Sequence, residues 1–132
     1  MQKNGRIKLG DFGIANVLAS TDPNRKKKKV TGGTLPYASP EAFTGEEASY
    51  AGDIWAVGCM LREMITGEVA FLRPTRSAIE LSVRKEFLCR LPKDYSRELR
   101  AIIWQCTNKK ADSRPTAKEM LKYEYLAEAA DA

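Results

Sequence analysis

From Tyr50 to Gly67 the chain is apolar nearly all the way round a helix. Ile54, Val57, Leu61, Met64 and Ile65 recur at helical spacing, and Trp55, Cys59 and Met60 fill most of the remaining circumference. Charge is confined to Asp53 near one end and Arg62-Glu63 near the other. Such a helix belongs inside a protein, with other elements packed on several sides. It is too short and too interrupted for a membrane span. Ser49 and Asp53 are both candidate N-caps, and Gly67 is a natural stop. Beyond it, Val69 to Pro74 reads as a loop. Ser77 with Glu80 reads as a capping box for a helix carrying Ile79, Leu81, Val83 and Phe87, ended by Leu91-Pro92. Ser96 caps a helix whose Leu99, Ile102, Ile103 and Cys106 form a clean i, i+3, i+4, i+7 stripe. Asn108 to Arg114 is a polar turn. Thr116 with Glu119 is a second capping box, opening a last helix through Met120 and Leu121, after which Glu128 to Ala132 is expected to fray.

The first fifty residues follow another pattern. Arg6-Ile7-Lys8-Leu9 alternates polar and apolar like a half-buried strand, and Asn4-Gly5 before it is a hairpin turn signal. Only Met1, Gln2 and Lys3 precede that turn, so the other arm is largely absent and the chain is expected to begin inside a fold. Gly10-Asp11-Phe12-Gly13 follows. A carboxylate at a strand end between glycines suits a metal ion, because the backbone there bends sharply; an ordinary loop carboxylate reads the same way. Ser20 to Gly33 has no periodicity and reads as a loop, with Ser20, Thr21 and Thr31 as candidate phosphosites. Ser39 as N-cap and Pro40 at the first helical position open a short helix through Phe43.

Composition narrows the function. The 132 residues suit one globular domain. The net charge of +5 comes from the run Arg25 to Lys29, which is either a solvated loop or a patch for an acidic partner or nucleic acid. No aromatic residue interleaves that run for base stacking, so nucleic acid is the weaker reading. Cys59, Cys89 and Cys106 are odd in number and far apart, which points to reduced thiols in an intracellular, cytoplasmic protein. There is no histidine, which excludes His-based acid–base chemistry and His metal sites.

Four motifs stand in a fixed order: Asp11-Phe12-Gly13; Gly33-Thr34 with Ser39-Pro40-Glu41; Asp53-Ile54-Trp55-Ala56-Val57-Gly58; and Arg114-Pro115-Thr116. Together they resemble the C-terminal lobe of eukaryotic protein kinases, over nearly the whole chain. Leu9 to Ala15, the Ser of Ser39-Pro40-Glu41 and Asp53 to Cys59 look most like the NIMA-related serine/threonine kinases. The implied fold is mainly α: a truncated kinase C-lobe with one strand remnant, an activation segment and about five helices around a buried central helix. The implied domain is 1–127, divided into strand and Asp-Phe-Gly (1–13), activation segment (14–41) and helical subdomain (42–127), with a tail at 128–132.

The resemblance also assigns roles. Asp11 would hold the magnesium that bridges the ATP phosphates, with Phe12 packed beneath it and Gly13 beside it. Thr34, next to Gly33, would face a substrate hydroxyl. Glu41 would pair with Arg114, and Asp53 would cap the backbone of the catalytic loop. Trp55 belongs to the structural motif. The family's Gly-rich loop, its phosphate-pairing Lys and its H-R-D-x-x-x-x-N catalytic loop have no counterpart here, and Leu35-Pro36 stands where Pro and an aromatic residue are usual. The expectation is therefore a part of a Ser/Thr kinase: the full-length family uses ATP and magnesium, while this chain alone is expected to bind no cofactor and to have no activity. Its partner is a protein substrate or a partner kinase. The alternative is a non-catalytic, pseudokinase-like module that binds through the uncovered face of the central helix. Three side chains left uncovered would forfeit roughly 1.5–3 kcal/mol each.

Overall fold

A computed structural model describes residues 8, 35–46, 49–88 and 91–131, with side chains described to residue 127. The elements follow the periodic stretches. Two 3₁₀ turns, Leu35–Tyr37 and Pro40–Thr44, lead into helix α1 (Tyr50–Thr66). Then come α2 (Arg76–Lys85), α3 (Arg97–Cys106), a 3₁₀ turn at Ala111–Ser113, α4 (Ala117–Met120) and α5 (Glu124–Asp131). No strand occurs among the described residues; of the expected Arg6–Leu9 strand only Lys8, exposed, is described.

Helix α1 is the axis. Ser49, not Asp53, caps it: the Ser49 hydroxyl accepts from the Gly52 amide at 3.1 Å. Asp53 lies in the first turn, where a carboxylate suits the positive end of the helix. Gly67, at φ +71°, takes the left-handed conformation that ends it, and its amide donates to the Glu63 carbonyl.

Two cores flank α1. On one side Ile54 packs with Ile102, Cys106 and Met120, joined by the half-buried Val57, Leu61, Tyr123 and Leu126. On the other, Trp55 and Cys59 pack with Phe71, Ile79 and Val83, joined by Leu35, Tyr37, Phe43, Ala70 and Leu88. Between the two flanks Gly58 lets α3 approach closely. A methyl there would stand 2.6 Å from Thr107 Cγ2 and 2.8 Å from Cys106 Cβ. A third arc of α1 is uncovered: Asp53, Met60 and Met64, spaced to share one side of the helix, are all exposed.

Four boundaries differ from the sequence reading. Helix α2 is capped by Thr75, whose hydroxyl accepts from the Ala78 amide; Ser77 is inside the helix, and Glu80 pairs with Arg84 at 2.7 Å instead of closing a box. Ile79 and Val83 lie on the buried face, and Leu81, between them, is 61% exposed. Helix α2 also stops at Lys85, so Phe87 lies beyond it. The turn at Pro40–Thr44 is 3₁₀ and one residue longer than expected, and Ser39, buried, makes no cap with its side chain. After the Thr116–Glu119 capping box, α4 closes at Met120 and a separate α5 runs to Asp131, into the stretch expected to fray. Burial explains it: Tyr123 and Leu126 dock against the Ile54 cluster, which ties down a segment too short to be helical alone. Cys59 and Cys106 are buried free thiols, whose ionisation burial pushes up to about 12 and about 11 respectively; Cys89 lies outside the described residues.

Candidate functional site

Glu41, Arg114 and Trp55, far apart in sequence, meet at one point. Glu41 sits in the Pro40–Thr44 turn, and Arg114 follows the Ala111–Ser113 turn. The guanidinium grips the carboxylate as a fork, Nη1 to Oε1 at 2.6 Å and Nη2 to Oε2 at 2.8 Å. Its Nε donates to the Asn108 carbonyl at 2.8 Å, and Nη1 also donates to the Ala51 carbonyl at 2.8 Å. The Arg114 side chain is fully buried and that of Glu41 is 10% exposed. Burial pushes the Glu41 carboxyl up, but the Arg114 fork, with help from a backbone bond and Ser39, outweighs it, and the net shift is downward.

Arg114 also lies over Trp55, 5.1 Å from the ring centroid, and Trp55 stacks on Phe71 at 5.7 Å. A second cation shares these rings. Lys109 Nζ is 4.9 Å from the Trp55 centroid, 5.3 Å from Phe71 and 5.4 Å from Phe87. The ring faces are negative and partly replace the water the ammonium loses. Its Nζ donates to the Val83 and Glu86 carbonyls, so it closes the C-terminal end of α2. Burial lowers the Lys109 pKa, only partly offset by Cys59 and Glu86.

A second tie holds the same segment. The Tyr37 hydroxyl donates to Glu63 Oε2, and that bond, with burial, raises the Tyr37 pKa. The 35–41 stretch is thus fastened near both ends of α1: at Ala51 through Arg114, and at Glu63 through Tyr37. Those points lie about 18 Å apart along the helix axis. This arrangement does no chemistry itself. It fixes the backbone just after Thr34 against a rigid helix.

The structure brings Glu41, Arg114 and Trp55 together and places Asp53 exposed on α1. Asp11, Phe12, Gly13, Ser20, Thr21, Thr31, Gly33 and Thr34 lie outside the described residues. No group of three or more His, Cys, Asp or Glu that could hold a metal occurs among the described residues. Tyr37, Glu63 and Lys109 were not singled out in the sequence. Glu63 carried a usable signal, being one of three charged residues on a largely apolar helix. Lys109 carried none, since one lysine in a polar turn looks like any other.

Comparison with known proteins adds a second line. The protein kinase domain model matches residues 1–126. Serine/threonine-protein kinase Nek3 of Oryza sativa subsp. japonica is 35% identical over 126 residues, covering 96% of this chain and 21% of the relative. Serine/threonine-protein kinase Nek11 of Homo sapiens is 35% identical over 126 residues, covering 96% and 19%. Serine/threonine-protein kinase PknB of Mycolicibacterium smegmatis is 35% identical over 124 residues, covering 91% and 20%. The chain spans about a fifth of the length of the curated relatives it matches.

Proposed function

The chain belongs to the protein kinase family, with the NIMA-related kinases among its relatives, and from that premise we propose that it is the C-lobe part of a protein serine/threonine kinase. In the completed enzyme it would present a protein substrate to ATP-dependent phosphoryl transfer. The observation that carries this reading is the double fastening of residues 35–41 to α1, by Glu41–Arg114 over Trp55 and by Tyr37–Glu63. Phosphoryl transfer asks the protein mainly to hold nucleotide, metal and hydroxyl in line. A segment pinned along the central helix would supply the fixed floor on which Gly33 and Thr34 would meet the substrate hydroxyl. Membrane insertion forms no part of this reading: among the described residues no helix is long and apolar enough to cross a membrane.

Magnesium would neutralise charge developing on the phosphates, and Asp11 is the residue assigned to it. One carboxylate does not make a nucleotide site. We therefore propose that these 132 residues by themselves neither bind ATP nor turn it over. Titration calorimetry with MgATP tests this, and no saturable heat is the expected result. Turnover that survives purification and disappears in Asp11→Ala would overturn it. Phosphorylation of Ser20, Thr21 or Thr31 would act in the completed kinase.

A second reading is favoured by one observation. Met60 is 46% exposed and Met64 65% exposed on the same uncovered arc of α1. A non-catalytic module would use that arc to bind a partner kinase or a regulator. The intact mass of the protein in its source cells separates the two readings. A species heavier than these residues account for, containing their peptides, supports the kinase. A species matching them alone supports the module.

A further inference from the structure

We propose that the groove between the end of α2 and the turn after α3 docks an acidic peptide segment of a partner protein through one apolar anchor side chain. The groove holds about 380 Å³ and is lined by Phe87, Leu88, Trp104, Thr107, Lys109 and the exposed Lys110. The volume falls within the roughly 300–1,000 Å³ typical of ligand pockets. Phe87 and Trp104 stack on each other, centroids 5.6 Å apart, yet remain 55% and 51% exposed. Leu88, which also lines the groove, packs on the Trp55 cluster, so one side of the groove is continuous with the core. Half-exposed aromatic rings in such a groove are the kind of place where one inserted side chain gains most of its binding energy.

Charge selects the occupant. The groove is lined by two lysines and no carboxylate. Lys109 already donates to the Val83 and Glu86 carbonyls, whereas the Lys110 ammonium has no hydrogen bond or ion pair among the described residues. A carboxylate beside the anchor would meet Lys110. A nucleic acid strand also stacks on aromatic rings, but it needs a line of cations along its phosphates, and one uncommitted ammonium does not supply that. The proposal is independent of the catalytic reading, since it needs the folded helices and no nucleotide.

The test is fluorescence anisotropy of a labelled Glu-Asp-Phe-Asp-Glu peptide titrated with the 132-residue chain. Three probes run beside it: the same peptide with Ala for Phe, a Lys-flanked Phe peptide, and a short oligothymidylate. The acidic Phe peptide is expected to saturate with a Kd below about 1 mM. The Ala and Lys-flanked peptides should bind at least tenfold more weakly, as should the Phe peptide to Lys110→Glu. Lys110 is exposed, so that variant leaves the core intact. Trp55 is fully buried, so Trp104 fluorescence should report binding directly. Absence of saturation, equal binding of the Ala peptide, an unchanged Kd in Lys110→Glu, or tighter binding of the oligonucleotide would each overturn the proposal.

Discussion

On the Ile54 side of α1 the neighbours are Ile102, Cys106 and Met120; on the Trp55 side they are Phe71, Ile79 and Val83 with two cations over the rings. The first side is an aliphatic seam between helices, closed by Gly58. Its energy comes from apolar area and close packing, spread over many contacts. The second gathers residues 35–43, 70–88 and 109–114 around one indole, and polar bonds to Arg114 and Lys109 fix where those stretches lie. Buried charge adds little net stability but makes each partner costly to remove. The two flanks of α1 therefore differ in kind: one joins the helices by packing, and the other fixes residues 35–41 by polar bonds.

The sharpest break of that contrast is Arg114→Ala, which leaves Glu41 buried without its guanidinium. The expected loss is about 3–5 kcal/mol in urea unfolding. The pH dependence should also change sign. In the parent chain Glu41 is held below its ordinary 4.5, so its contribution is present above pH 4.5 and is lost as pH falls through the folded value. In Arg114→Ala burial, the largest single effect, is opposed only by the backbone bond and Ser39, so the carboxyl is expected above 4.5 and stability should rise as pH falls through that raised value. A small loss with no reversal would show that the fork is not the anchor.

Gly58→Ala attacks the aliphatic flank. The added methyl meets Thr107 Cγ2 and Cys106 Cβ, neither of which can swing away, because the Thr107 hydroxyl donates to the Ile103 carbonyl at 2.8 Å and Cys106 is fully buried. Overpacking costs about 1–3 kcal/mol, against about 1 kcal/mol gained in helix propensity. The net is a destabilisation that Thr107→Ser relieves in part, read by thermal unfolding. A stabilised Gly58→Ala would mean that α1 and α3 do not touch as closely as the structure has them.

Lys109→Met separates charge from packing on the aromatic flank. The Met side chain fills the stem's space but leaves the Val83 and Glu86 carbonyls without their donor. The expected loss is about 1–2 kcal/mol: the cost of an unpaired acceptor less the relief of a buried charge. The folded Lys109 pKa lies below 10.5, so the unfolded chain holds the proton longer and parent stability rises as pH climbs from the folded value to 10.5. That rise should vanish in Lys109→Met.

The same contrast explains what could be read from the sequence. The aliphatic flank was legible because its signal is local: the Leu99–Cys106 stripe, the Ser96 cap and the Thr116–Glu119 box each lie within a turn or two, and all three are present. The aromatic flank depends on side chains tens of residues apart. Resemblance to a family supplied the pairing of Glu41 with Arg114, which no periodicity could. Neither route pointed to Lys109, or to Tyr37 with Glu63, because a lysine in a turn and a tyrosine near a proline carry no mark of what they will touch. The kinase C-lobe architecture was legible from four ordered motifs, and the domain match covers the same stretch.

The smallest effect tests where α2 begins, on the aromatic flank. Ser77 and Glu80 have the spacing of a capping box, but Glu80 pairs with Arg84 and the Ser77 position is already inside the helix. Thr75 caps the helix through its hydroxyl, and Ile79 and Val83, one turn apart, lie on the buried face with Phe71 and Trp55. Thr75→Ala should therefore cost about 1 kcal/mol, the ordinary value of an N-cap, while Ser77→Ala changes stability by less than about 0.5 kcal/mol. Urea midpoints of the two variants decide it. The reverse ranking would mean that Ser77, and not Thr75, caps α2.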